Sequence, residues 1–515
     1  MTTSTRRSPL TAPPFTPTTA ALPTAALSHT GRGADAELDR AARRVLLTNW
    51  RGHATVPAAR LYPHQWSWDS AFVAIGLRHL SPIRAQRELE SLFGAQWPDG
   101  RVPHIVFDPH VPADAYFPGP AFWQADSQGT PTSGIVQPPA HALAAWLTFR
   151  ADPAAARARG FLPRIYPRLV AWHRYLTTRR DLTGNGLVSI VHPWESGLDN
   201  SPAWDLPLAR VTPVPTGEFT RRDLDHAAAS ERPTDTDYGR YVRLARDYRD
   251  AGYADSLSGH GFAVEDPLCN ALLAAGEHAL AAIAAEVGAD PAPHRSSAER
   301  LTQDLTDVLY DRGSGTFFPR DAHTGALLRT YSIGGLLPLI VPDLPVAGAL
   351  IETALGDRFR LAEACPPPSY DLIAVDHDPV KYWRGPGWIN TGWLLWYGLH
   401  LHGSAELADS LRRRLLDRVR RSGFREYFDP LTGIGHGTDD FSWTAALVLD
   451  LLRTPPGTGP TSLGAAGLSG SRRISSGWSS RLSRRPGVSR DDQPESTATA
   501  PARPGTGTPD VAPGT

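Results

Sequence analysis

Six carboxylic acids lie in aromatic-rich stretches that read as loops: Asp69, Glu195, Asp199, Asp205, Glu426 and Asp429. Most other Asp and Glu fall on polar helical faces, where solvation or a surface ion pair accounts for them. Two carboxyls flanking a bound molecule can divide acid and base work. One protonates a leaving oxygen; the other activates water or attacks the reacting carbon, as in cleavage of a glycosidic bond. In ESGLDNSPAW, Gly197 permits a tight turn and Pro202 fixes the exit from it. Trp194 and Trp204 flank Asp199 and can desolvate its carboxyl, raising its pKa as a general acid requires. In GFREYFDPLTG, Glu426 follows a predicted helix and precedes a turn, with Arg425 and Tyr427 beside it. A polar setting of that kind suits a base that must stay ionised.

The tryptophans point to the same chemistry. Fourteen of the fifteen precede the C-terminal tail, and none lies between 205 and 382. They cluster instead: Trp66 and Trp68 in LYPHQWSWDS, Trp194 and Trp204 around Asp199, Trp383 and Trp388 in YWRGPGW. An indole face covers the C–H patches of a pyranose while neighbouring polar groups fix its hydroxyls. Any one of these residues could equally plug a loop onto the core; the grouping with Asp, Glu, Arg and Asn favours sugar binding.

The elements that must hold these loops read as helices. Residues 36–49 place Leu38, Ala41, Ala42, Val45 and Leu46 at helical spacing, and Ser81-Pro82 looks like a cap and first turn. Segments 134–150, 160–180, 236–250, 264–288, 296–311, 388–402, 405–421 and 440–453 follow the same pattern. Residues 264–288 are rich enough in Ala and Leu for a helix buried on most sides. Strand signals are short, LVSIV at 187–191 being the clearest. The expected fold is all-α, an (α/α)6 barrel or toroid over 34–454 with long functional loops at one end. Residues 1–33 and 455–515 are rich in Pro, Gly, Ser and Thr and are expected to be disordered. Arg472, Arg473, Arg484 and Arg485 in the second tail are expected to be solvated.

Composition excludes several classes. With 41% apolar and 20% charged residues and a net charge of −1, the 515-residue chain has neither a basic face for nucleic acid nor one for a membrane surface. No run approaches the ~20 apolar residues of a membrane span. Two cysteines, Cys269 and Cys365, read as buried free thiols. Arg6 and Arg7 are followed by Thr and Pro and not by a signal-peptide core, so a cytoplasmic protein is expected. No metal-ligand cluster or cofactor is expected, and the expected partner is a small carbohydrate.

Together these motifs resemble glycoside hydrolase family 63 and its bacterial mannosylglycerate and glucosylglycerate hydrolases. LYPHQWSWDS, ESGLDNSPAWD, RPTDTDYGRY, YWRGPGWINTGW, FREYFDPLTG and SWTAA carry the resemblance, from Tyr62 to Ala446. The resemblance implies an (α/α)6 barrel and an inverting hydrolase, with Asp199 as general acid and Glu426 as general base. It implies that Trp68 and Asp69 hold the cleaved glycosyl unit, and that Tyr62, Gln137, Tyr382, Trp383, Gly385 and Trp388 shape the pocket; Trp194, from its place beside Asp199, is expected there too. In the glycerate-releasing relatives an Arg and a Tyr six residues apart bind the glycerate carboxylate, and Arg232 and Tyr238 have that spacing. An alternative for Arg232 is a structural bond to the loop carrying Asp199. One departure stands out: those relatives carry Gln before SWTAA, where this chain has Phe441. His436, Asp439 and Asp440 also depart from the pattern. The expected function is hydrolysis of a small α-glycoside such as glucosylglycerate or mannosylglycerate. Alternatives are an α-glucosidase or α-mannosidase acting on a neutral disaccharide or oligosaccharide, and a sugar-binding protein without activity. A terpene cyclase or polysaccharide lyase is disfavoured; prenyl diphosphate chemistry needs acid-rich metal motifs, for which TDTDYG and GTDD are poor candidates.

Overall fold

The computed structural model describes residues 27–225 and 227–459. Most of the two segments expected to be disordered, including the four tail arginines, lies outside these residues. The first helix begins at Leu27, inside the first of them. In chain order the helices are α1 (Leu27–Thr48), α2 (Ser67–Leu77), α3 (Pro82–Gly94), α4 (Pro120–Trp123), α5 (His141–Ala151), α6 (Pro153–Arg159), α7 (Phe161–Arg179) and α8 (Asp205–Leu208). They continue as α9 (Asp235–Asp250), α10 (Pro267–Val287), α11 (Ala292–Leu309), α12 (Ala347–Leu355), α13 (Ile389–Leu401), α14 (Ala405–Ser422) and α15 (Ser442–Arg453).

The molecule is an all-α toroid. Helices α2, α5, α10, α13 and α15 form its inner ring, and two 3-10 turns, Ile333–Gly335 and Leu337–Ile340, fill the place between α10 and α13. Each member packs on the next, and α15 returns to α2. Helices α1, α3, α7, α11 and α14 cover the ring from outside. Position in the ring dictates sequence character. Every residue of α2 and α13 but the last two of α13 is buried, so neither carries a polar stripe. Outer α14 buries only Ala408, Leu411, Leu415, Leu416 and Val419 and is charged elsewhere. Gly76 on α2 is required by close packing, since a Cβ there would lie 2.2 Å from the Ala446 carbonyl oxygen on α15.

Boundaries follow local chemistry. Ser81 caps α3 by accepting from the Arg84 N–H, with Pro82 in the first turn. Asp266 caps α10 by accepting from the Cys269 N–H, and Gly288 in the left-handed region ends it. Helix α10 is long and apolar enough to cross a membrane, but most of it is buried in the ring, which accounts for its composition. Both cysteines are free and buried.

Several sequence expectations need correction, among them residues 264–265 and 310–311, which are strand and not helix. The stretch through Trp68 and Asp69 reads as loop but forms the first turn of α2, because a wholly buried helix lacks the 3.6-residue period that reveals one. Residues 134–140 read as helix but precede it, Pro138 and Pro139 delaying α5 until His141. The strands are two or three residues long. Gln65–Trp66 pairs antiparallel with Ile105–Val106, which pairs onward with Thr130–Thr132 and then Ala125–Ser127. Ser189–Ile190 pairs with Val264–Glu265, and Tyr427–Phe428 with Gly435–His436, Tyr427 opposite His436.

Asp450 on α15 stitches the ring together. Fully buried, it accepts from Arg78 Nη2 at 2.6 Å and Trp393 Nε1 at 2.8 Å and meets His79 Nε2 at 2.7 Å. Burial alone would raise its pKa; Arg78 and then His79 overcome this and hold the carboxyl at about 2. Asp450→Ala would strand the Arg78 charge, and a loss of about 3–5 kcal/mol in urea unfolding at neutral pH is expected. Because this carboxyl is depressed, the wild-type contribution is present above about pH 4 and is lost as pH falls towards 2.

Candidate active site

Three of the six loop acids converge on one pocket and three do not. Asp69, Asp199 and Glu426 line one cavity of about 60 Å³. Glu195 is wholly buried, chelated by Arg180 at 2.7 and 2.8 Å and by the amides of Val136 and Val191. Asp205 pairs with Arg384 on the surface at 2.7 and 2.9 Å, and Asp429 caps the turn through Leu431 and Thr432. Those bonds account for all three as structural acids.

Asp199 stands on a loop whose backbone is tied at each step. The 3-10 turn Pro193–Ser196 is capped by His192, whose Nδ1 accepts from the Trp194 N–H at 3.0 Å. Gly197 ends it at φ +69°, and a Cβ there would lie 2.5 Å from the Trp68 ring. Glycine therefore lets the indole floor of the pocket press against the loop. Beyond it, Trp204 Nε1 donates to the Leu198 carbonyl at 2.8 Å and Tyr241 Oη to that of Asp199 at 3.1 Å. The Asn200 side-chain oxygen accepts from the Trp383 N–H at 2.9 Å, tying this loop to the next wall. Desolvation pushes the Asp199 carboxyl up to about 7; Arg232 opposes the shift and the Glu426 charge adds to it. Trp194 lines the pocket as expected, whereas Trp204 packs behind the loop against Phe262.

Glu426 precedes the strand Tyr427–Phe428, whose hairpin partner returns the chain so that Thr438 faces it. Oε1 accepts from Tyr62 Oη at 2.9 Å; Oε2 accepts from Arg232 Nη2 at 3.0 Å and the Thr438 N–H at 3.1 Å. A Cβ on Gly437 would fall 2.5 Å from Oε2, so this turn needs glycine. Arg232 Nη1 donates to Tyr62 Oη at 2.9 Å, and the guanidinium lies over the Tyr382 ring. Asp69, in the first turn of α2, is raised well above the usual carboxylate range by burial, with Glu426 and Asp199 adding to the shift.

The remaining expected residues divide between wall and support. Tyr62, Trp68, Gln137, Tyr382 and Trp383 line the pocket, and Gln137 Oε1 accepts from the Trp68 N–H. Tyr382 adopts φ +48°, a left-handed conformation rare for a non-glycine residue. Trp388 is behind the wall, stacked on Trp383 at 3.9 Å and 3° and donating to the Tyr382 carbonyl. Gly385 does not line the pocket, and a Cβ there would clash with the Asp378 carbonyl. Arg232 and Tyr238 do not form a free clamp. Arg232 is engaged by Glu426 and Tyr62, and Tyr238 donates to the Phe117 carbonyl beneath Arg221, outside the pocket lining.

Pro57, His104, Tyr116 and Trp443 line the pocket without having been singled out, and Trp66 and Phe441 join them. Trp66 lay within a motif already recognised; His104 had no distinguishing sequence context. Burial, with a smaller effect from His192, lowers His104 to about 3, so it is neutral at ordinary pH.

Residues 62–444 match the family model described as the mannosylglycerate hydrolase MGH1-like glycoside hydrolase domain. The chain is 41% identical over 424 residues to a mannosylglycerate hydrolase of Rubrobacter radiotolerans, covering 80% of this chain and 96% of that protein. It is 38% identical over 445 residues to a glucosylglycerate hydrolase of Mycolicibacterium hassiacum, covering 81% and 98%. The crystal structure of a family 63 mannosylglycerate hydrolase from Thermus thermophilus in complex with Tris and D-glycerate superposes with a TM-score of 0.74. That pair is 41% identical and covers 81% of this chain and all of the other. Neutral trehalase Nth1 of Saccharomyces cerevisiae, at 18% identity and a TM-score of 0.53 over 78% of this chain and 73% of the other, shares the fold.

The electrostatics of the three acids make a direct prediction. The Asp199 13Cγ resonance should titrate near pH 7. Glu426→Gln should lower that midpoint, because it removes a neighbouring negative charge and releases Arg232 to act on Asp199; an unchanged midpoint would show that the two carboxyls do not sense each other.

Proposed function

The chain belongs to the mannosylglycerate hydrolase MGH1-like glycoside hydrolase family, and from that premise we propose that it hydrolyses a small α-glycoside with inversion, Asp199 as general acid and Glu426 as general base. One observation carries the reading: a single pocket holds Asp199, raised by burial to about 7, together with Glu426, ion-paired to Arg232 at 3.0 Å. A carboxyl kept neutral and a carboxylate kept paired are the two partners that acid–base cleavage needs.

The sugar stacks among Trp68, Trp194 and Trp383 and hydrogen-bonds Asp69 and Gln137. Asp199 delivers its proton to the glycosidic oxygen as the C1–O bond breaks. Glu426 takes a proton from water as the water oxygen bonds to C1 from the opposite face. Proton transfer and water complete the balance without a cofactor. Inversion calls for carboxyls about 6.5–9.5 Å apart, leaving room for that water.

The family relatives support glucosylglycerate or mannosylglycerate as substrate. A second reading, a neutral α-linked disaccharide, is favoured by the pocket wall itself: among the described residues Phe441 lines it, no Arg or Lys does, and Arg232 behind it is already engaged. Turnover of the two glycerate glycosides, compared with kojibiose, nigerose and trehalose, distinguishes the readings.

Asp199→Asn and Glu426→Gln should each lower kcat on the natural glycoside by about 10²–10⁴-fold while the sugar still binds. An α-glycosyl fluoride separates the roles, because fluoride leaves without a proton. Asp199→Asn should recover turnover on the fluoride and Glu426→Gln should not; near-normal turnover of the natural glycoside by either variant contradicts the assignment.

A further inference from the structure

The bonds around Glu426 leave it little choice of reacting atom. A carboxylate oxygen has two lone pairs in its plane. On Oε2 both are occupied, by Arg232 Nη2 at 3.0 Å and the Thr438 N–H at 3.1 Å. On Oε1 one is occupied, by Tyr62 Oη at 2.9 Å, and one is free. The Tyr62 oxygen accepts from Arg232 Nη1 at 2.9 Å, which turns the hydroxyl hydrogen towards Oε1. The three side chains therefore close a ring of hydrogen bonds in which each fixes the direction of the next. The Tyr62 ring packs edge-on against Trp66 and Phe441, at centroid distances of 5.3 and 6.0 Å, which supports the hydroxyl beside Glu426.

We propose that Tyr62 is a positioning residue for Glu426, aiming the free lone pair of Oε1 at the attacking water, so that this atom and not Oε2 receives the proton. The inference rests on Glu426 being the general base. It gives Tyr62 a different task from the sugar contact that the family resemblance implies. When water attacks C1, one O–H bond of the water breaks and its proton passes to Oε1, while the Tyr62 and Arg232 hydrogen bonds hold the carboxyl plane still. The groups facing this carboxyl are Arg232, Tyr62, Tyr382, Tyr427, Asp199 and Asp69, and of these Tyr62 is the one that both touches Oε1 and lines the pocket.

The test is Tyr62→Phe, which removes one oxygen and keeps the ring. Losing a hydrogen bond to a charged group should cost about ten- to a hundredfold in kcat. KM should stay within about threefold, because binding common to ground and transition states is intact. Removing a donor leaves the charged carboxylate less well held, so the acid limb of kcat should move to higher pH. A loss confined to KM, or kcat and acid limb both unchanged, overturns the proposal. If Tyr62→Phe fails to fold, 3-fluorotyrosine at position 62 keeps the shape and strengthens the donor. The acid limb should then move to lower pH, and an unmoved limb again overturns the proposal. Glu426→Gln run alongside separates the two failures: if it keeps turnover, the base assignment fails; if it is inactive while Tyr62→Phe behaves as wild type, only the positioning role fails.

Discussion

Glu426 and Arg232 meet at 3.0 Å with 1% and 3% of their side chains exposed, and much else in the site answers to that burial. Taking two charges out of water costs several kcal/mol per ion, which mutual attraction offsets only when the remaining donors and acceptors are also satisfied. Three neighbours supply that satisfaction here, although Arg232 Nε is left without a partner. Tyr62 bridges the two, the Thr438 amide fills the second oxygen, and the Tyr382 ring lies under the guanidinium. Tyr62, Arg232, Tyr382 and Glu426 come from different parts of the chain, so the pair forms only when the ring has closed. A site with this construction is assembled by the fold and is not carried by any one loop.

The same closure sets the other carboxyl apart. Asp199 has no cation of its own within bonding distance among the described residues, and desolvation by the aromatic walls governs its proton. Its loop is held by backbone and not by side-chain charge: Gly197 against Trp68, Leu198 on the Trp204 indole, Asn200 on the Trp383 amide. Behind it the Arg180–Glu195 pair locks the preceding turn to the segment carrying Gln137. One acid is thus fixed by charge and the other by packing. That difference shifts Asp199 towards its protonated form and leaves Glu426 paired, the Glu426 charge adding to the rise of Asp199.

Much of this was legible in the sequence, and the gaps have physical causes. Outer helices such as α14 announced themselves by a polar face, and α10 by its Ala and Leu content. Helix α2 did not, because burial on every side erases the period by which a helix is recognised. Asp199 and Glu426 were legible because a turn-forming glycine, flanking tryptophans and an REY stretch each constrain a short segment. Gly385 and Trp388, expected to shape the pocket, fall outside its lining for the converse reason. Standing next to a wall residue in sequence does not make a residue face the same way, and Trp388 supports Trp383 from behind. The Arg232–Glu426 bond joins positions 194 residues apart, and no local pattern could reveal it. Phe441 was conspicuous in the sequence, but only the closed pocket gives it a neighbourhood, between Tyr62 and Trp443.

The central claim is that water enters opposite the leaving group, activated by Glu426 while Asp199 protonates the departing oxygen. Proton NMR of the anomeric signals during the first minutes of hydrolysis of an α-glycoside substrate tests it most directly. Appearance of the β-sugar first, with the α-anomer growing in only as mutarotation proceeds, is the predicted result. Appearance of the α-sugar first would mean retention through a covalent intermediate, and would contradict the roles assigned to both carboxyls.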